Sequence, residues 1–153
     1  MKHIDSTIEN AEQLCKGHGT RLTYKRKHVL SGLIQSDKAL SAYELISVCK
    51  ERFGEDIPAM SVYRILAFLE SEMLVHKLKL VNKYIACAHI SCDHTHELPQ
   101  FLICGNCSNV KEISISQSTI LDLKETVKNA DYHLISPQLE LNCLCDDCIS
   151  LAT

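Results

Sequence analysis

The stretch "IPAMSVYRILAFLESEMLVHKLKLVNKYIAC", residues 57–87, changes periodicity half-way, and that change decides the fold. In its first part Val62, Ile65, Leu66, Leu69 and Met73 recur at helical spacing and predict one buried stripe. From residue 73 the period drops to two, with Leu74, His76, Leu78 and Leu80 on one face. Asn82 predicts a turn and "KYIAC" alternates again, so a β-hairpin follows the helix. Upstream, a short helix is predicted over 5–16, ending at Gly17. A second follows Thr23 as N-cap, with Val29, Leu30, Leu33 and Ile34 on one face. A third follows Ser41, where Ser41 and Glu44 make a capping-box pattern and Ala42, Leu45, Ile46, Cys49 and Phe53 keep helical spacing. Helices and then a two-stranded hairpin outline a winged helix-turn-helix, whose helix before the wing enters the DNA major groove. Tyr63 and Arg64 lie on the solvent side of that helix. Arg forks to guanine, and Tyr reaches thymine methyls or phosphates. Both residues equally suit an ordinary solvated helix face.

The rest of the chain has a different character. Residues 1–82 carry 12 Lys and Arg against 10 Asp and Glu, a net of +2. Residues 83–153 carry 4 against 9, a net of −5, and seven of the nine cysteines. The expected organisation is a winged-helix DNA-binding domain over 1–82, a hinge over 83–92, and a small α/β domain over 93–153, α+β overall. In the last of these, "FLIC" and "VKEISI" predict strands and "QSTILDLKETVKNA" a helix with Ile120, Leu123, Val127 and Ala130 on one stripe. "HLISPQLELNC" predicts a strand bent, or on an edge, at Pro137. So few elements make a thin core, which calls for a metal or a partner subunit.

No run of eighteen apolar residues is present, so no transmembrane helix is expected. The N-terminus lacks an apolar signal core, which makes the cytoplasm the expected location. Its reducing conditions, and an odd cysteine count, argue against a disulfide scaffold.

Cys104-x-x-Cys107 and Cys145-x-x-Cys148 supply four thiolates, enough for a closed tetrahedral zinc site. The 37 residues between them hold the strand, helix and strand that bring the second pair to the first. Cys143 competes with Cys145 for a place, but the 145/148 spacing matches the first pair better. A thiol redox pair would instead want a C-x-x-C opening a helix after a strand. Cys15 and Cys49 fall on helices and are expected to be buried small apolar residues.

A second constellation comprises His76, Cys87, His89, Cys92, His94, His96 and Glu112. It reads either as a mixed nitrogen, sulfur and oxygen shell suited to zinc or as scattered histidines, with His76 a satisfied core residue. As a shell it would bind one arrangement of the two modules, which is the property of a switch. A zinc hydrolase would need an open coordination position and a general base, and no H-E-x-x-H is present.

Taken together, these motifs resemble the ferric uptake regulator family, most closely its zinc uptake regulator branch. "RLTYKR" resembles R-L-T-P-Q-R, "SAYEL" an A-x-E/D-L helix, and "SVYRILAFLESEMLVHK" the T-V-Y-R-x-L-x-x-L recognition segment and wing. "HTHELPQFLICGNCSNVKE" is similar to H-x-H…I-C-x-x-C-G-x-V-x-E, and "LCDDC" to the closing C-x-x-C. The resemblance implies a homodimeric, zinc-dependent repressor of zinc-uptake genes, with about two zinc ions per protomer. It acts on an operator in double-stranded DNA and has no enzymatic activity, small-molecule substrate or membrane partner. It implies a structural site at Cys104, Cys107, Cys145 and Cys148, and a regulatory site at His76, Cys87, His96 and Glu112, with His94 as competitor to His96. It places Tyr43, Tyr63 and Arg64 at DNA-contact positions, with Arg21 as a weaker one. An iron, manganese or peroxide sensor is the alternative within the family, and the Cys87 thiolate argues against it. Tyr24 stands where the family has Pro, Ser108 where it has Gly after the first Cys pair, and Cys143 where Gly is common. The stretch before "FLIC" is longer than in the iron type, and His89 and Cys92 have no assigned role.

Overall fold

A computed structural model describes residues 2–36, 38–90, 99–135 and 138–152. Cys92, His94, His96 and the bend expected at Pro137 lie outside the described residues. The chain divides into two compact units, Met1–His94 and Thr95–Thr153.

In the first unit, α1 (Lys2–Gly17) starts earlier than residue 5, because residues 2–4 hold no Pro or Gly to stop it. Thr23 has the extended backbone of an N-cap for α2 (Tyr24–Gln35), but its side chain makes no cap bond. Ser41 caps α3 (Ala42–Phe53) as expected, its Oγ accepting the Glu44 N–H at 3.1 Å. Gly54 ends α3 at φ +64, a left-handed turn that glycine adopts without steric cost. The N–H groups of Gly54 and Glu55 close the helix on the Lys50 and Cys49 carbonyls.

The fourth helix, α4 (Ala59–Ser71), buries Val62, Ile65, Leu66 and Leu69 as its spacing predicts. Met73 does not join them. It lies past the helix end at φ +62 and is 46% exposed. The left-handed turn there sends Met73 outward and brings Leu74 into the core in its place.

The wing is β1 (Val75–Leu78) paired antiparallel with β2 (Lys83–Ala86), with His76 opposite Ile85. Asn82 turns the chain at φ +51. Leu80, expected on the His76 face, falls in that turn and is 53% exposed, because β1 stops at Leu78. Leu40 and Tyr84 exchange backbone hydrogen bonds of 2.9 and 2.8 Å, and Lys83 meets Glu44 at 3.0 Å. The wing is thereby tied to the start of α3. Burial alone would raise the Glu44 carboxyl, but hydrogen bonding and charge from Lys83, with Ser41, hold it below the usual range.

The core gathers Ala11, Val29, Leu30, Leu45, Leu66 and Leu69 from the four helices with Leu74 and Tyr84 from the wing. Cys87 and Ile90 belong to it too, so the first unit continues through residues the sequence assigns to the hinge. Cys15 and Cys49 are fully buried, as expected, and burial pushes both thiols up.

In the second unit, β3 (Gln100–Cys104) is the central strand. It pairs antiparallel with β4 (Val110–Ile113) and parallel with β5 (Leu139–Cys143). A parallel neighbour requires a crossover, which runs through α5 (Gln117–Asn129). A short helix, α6 (Asp146–Ala152), follows β5. The stripe of α5 is not buried as its spacing predicts. No residue of α5 is buried, and Ala130 is an exposed C-cap. Among the described residues, the buried ones of this unit are Gln100, Phe101, Ile103, Cys104 and Cys148. That core is thin, as the sequence predicts. The Gln100 side chain accepts the Leu139 N–H at 2.7 Å and sets the start of β5 against β3.

Ser108 sits at φ +64, just after the first Cys pair. A side chain in that region is strained, and glycine is not. Ser108→Gly is therefore expected to stabilise the protein by about 0.5–1 kcal/mol, after the loss from a freer unfolded chain. Thermal unfolding of the zinc-loaded protein measures it, and an unchanged or lower midpoint would contradict it.

Candidate metal centres

Cys104 ends β3 and Cys107 lies in the turn to β4. Cys145 precedes α6, its carbonyl accepting the Ile149 N–H at 3.0 Å, and Cys148 is in the first turn. These four sulfurs lie within 4.8 Å of one another. Cys107 and Cys145 are 3.7 Å apart. A tetrahedral zinc ion with Zn–S bonds of about 2.3 Å sets its sulfurs about 3.8 Å from each other. Cys143 is not in the cluster. It pairs with Cys104 across the sheet, and its carbonyl is held by the Gly105 N–H at 2.9 Å.

The surroundings favour thiolate at one end of the cluster and thiol at the other. N–H groups of Cys107, Cys145 and Asn106 lower the Cys104 thiol to about 6. The Cys145 N–H reaches the Cys104 sulfur at 3.4 Å. The Asn106 amide donates to the Cys148 sulfur at 3.3 Å, favouring thiolate, but the neighbouring sulfurs and burial outweigh it and push Cys148 up to about 12. Four thiolates this close repel one another unless a cation sits among them. The donor set fits a divalent thiophilic ion.

In the first unit, a ring nitrogen of His76 and the sulfur of Cys87 lie within 4.8 Å of each other. Both side chains are buried, 6% and 5% exposed. The hairpin register explains the pairing: His76 faces Ile85 and the Cys87 N–H donates to the Leu74 carbonyl at 2.9 Å. The His89 N–H reaches the Cys87 sulfur at 3.5 Å. Glu112 is on β4 of the second unit, opposite Phe101 and half-buried. His96 and its competitor His94 fall outside the described residues.

Tyr63 and Arg64 are exposed on α4, Tyr43 is exposed at the start of α3, and Arg21 is exposed just before α2. The Arg21 carbonyl accepts a 2.6 Å hydrogen bond from Arg26. Arg26 also stacks on Phe68 at 3.6 Å and is committed to packing. Two supporting residues escaped sequence reasoning, Asn106 on the Cys148 sulfur and Gln100 under β5. Only an internal polar residue marked either, and that signal has many other readings.

The model of the ferric uptake regulator family matches residues 17–142. The chain belongs to the ferric uptake regulator family. This family member is 37% identical over 105 residues to the zinc uptake regulation protein of Escherichia coli K12, a match covering 69% of the chain. The match spans 60% of that curated relative's length. Among solved structures, a zinc uptake regulator complexed with zinc and DNA superposes with a TM-score of 0.83 at 27% identity, covering 97% of each chain. The holo form of XcZur superposes with a TM-score of 0.75 at 31% identity, covering 94% of this chain and 96% of its own. The fold is α+β with a winged-helix unit, as the sequence predicts. Among the described residues, no helix is long and apolar enough to cross a membrane.

Proposed function

We propose that this chain is a zinc-responsive transcriptional repressor of zinc-uptake genes, cytoplasmic and without enzymatic activity. The observation that carries the reading is the buried His76–Cys87 pair on the hairpin that follows the recognition helix. An imidazole and a thiolate together favour zinc over iron(II) or manganese(II). Similarity to a zinc uptake regulation protein and to a zinc- and DNA-bound regulator supports the same assignment.

Residues 1–82, with the second wing strand and the core residues Cys87 and Ile90 that follow it, form the DNA-binding domain, so that the hinge assigned to 83–92 is confined to its end, and residues 93–153 form the dimerisation domain. Structural zinc is held by Cys104, Cys107, Cys145 and Cys148. Regulatory zinc is held by His76, Cys87, Glu112 and His96, with His94 as the competitor to His96. Two zinc ions per protomer follow. Homodimerisation is supported by the uncovered apolar stripe of α5 and by Leu121, Tyr132 and Ile135, all exposed. When regulatory zinc binds, the population shifts to a dimer whose two α4 helices meet the half-sites of an AT-rich pseudopalindrome. When zinc falls, DNA is released and the uptake genes are expressed.

The test is operator binding against graded free zinc with the structural site kept loaded. Affinity is expected to rise steeply with zinc and far less with iron(II) or manganese(II). Equal binding after the regulatory metal is stripped would refute the switch. In the same assay Arg64→Ala is expected to weaken specific binding by about 1–3 kcal/mol and to relax selectivity at one base position. A uniform loss across sequences would make Arg64 a phosphate contact instead.

A further inference from the structure

The outward stripe of α4 holds one more side chain whose position asks for an explanation. Met60, the second residue of α4, is 67% exposed. It lies three and four residues before Tyr63 and Arg64, so the three share a face that continues through the exposed Ala67. The buried stripe of the helix is Val62, Ile65, Leu66 and Leu69, and it does not include Met60. The face 60, 63, 64 and 67 carries no carboxylate. It offers a thioether, a phenol, a guanidinium and a methyl.

A major groove presents one apolar feature on its base edges, the 5-methyl group of thymine. The N-terminal residues of a recognition helix are those that reach the base edges. Methionine is long, unbranched and polarizable, and adapts its shape to an apolar contact. We infer that Met60 is a specificity residue that reads thymine through its 5-methyl group, beside Tyr63 and Arg64. The inference rests on the proposed DNA-binding function and deepens it, since it names a base and the atom read. The competing account is that a single exposed methionine is ordinary surface.

The experiment uses the full-length, zinc-loaded protein and an operator recovered by selection from random duplexes. Each thymine of a half-site is replaced in turn by deoxyuridine, which removes the methyl group and keeps the base pair. For the wild type, one or two positions per half-site are expected to lose about three- to tenfold in affinity. Met60→Ala is expected to lose a similar factor on the thymine operator and to be indifferent to the methyl at those positions. Met60→Leu is expected to retain most of the binding. The salt dependence stays unchanged in both variants, because no phosphate contact is removed.

Wild-type affinity in Met60→Ala, or undiminished methyl sensitivity at every position, overturns the inference while leaving zinc-dependent DNA binding in place. A wild type that binds no duplex when zinc is loaded overturns the proposed function, and this inference with it.

Discussion

Cys104→Ser is expected to remove about one zinc ion per protomer and to unfold or dissociate the second unit. Structural zinc contributes roughly 10–16 kcal/mol in small peptide sites, as large as the stability of a whole domain. The second unit has little else to hold it. Among its described residues, Phe101 and Ile103 are the buried apolar ones apart from two cysteines, and α5 buries none. A hydroxyl in place of the thiolate leaves three sulfurs and a weak ligand, so the ion is lost and the remaining sulfurs are uncompensated. Zinc analysis, thermal unfolding and sedimentation measure the three consequences. Cys143→Ser is the control. Its sulfur stands outside the cluster, so zinc content should hold at the wild-type value. If Cys104→Ser keeps its zinc and its melting point, the four-cysteine site is wrong.

His76→Ala is expected to leave the fold standing and to abolish the response of DNA binding to zinc. The hydrophobic cluster of the first unit is built from the four helices and the flanks of the wing, and it persists without the imidazole. The proposed regulatory site does not, because Cys87 then loses the nitrogen donor beside it. Loss of one ligand should weaken regulatory zinc by roughly 100-fold or more, since even the outer-shell partners of ligands are worth 10–100-fold. DNA binding at a fixed free zinc level falls with it. The discriminating readout pairs a zinc titration with circular dichroism. Normal zinc response in a folded His76→Ala protein would return His76 to the role of a core residue. Collapse of the fold would say the same.

Much of this was legible because the signals are local. Ser41 caps α3 and accepts the Glu44 N–H because the capping box is a contact between residues three apart. Val62, Ile65, Leu66 and Leu69 are buried together because a helix puts them on one side whatever it packs against. The two C-x-x-C turns announce themselves by spacing alone. The misreadings fall where the chain changes direction. Met73 and Leu80 extend correct periodicities one step too far, past a left-handed residue and into a turn that periodicity does not register. The α5 stripe was legible as amphipathic, but its pattern does not say whether this chain or another surface covers it.

Local spacing is enough for the helix-then-hairpin order, the two Cys pairs, and the nearness of a His on the first wing strand to a Cys just past the second. Each of these is a relation between residues close in the chain, governed by backbone geometry. It took the folded chain to bring the two Cys pairs together as one cluster, to set β5 through Gln100, and to leave Met60 on the open face of α4. Those outcomes depend on where segments tens of residues apart meet, and spacing does not carry that information.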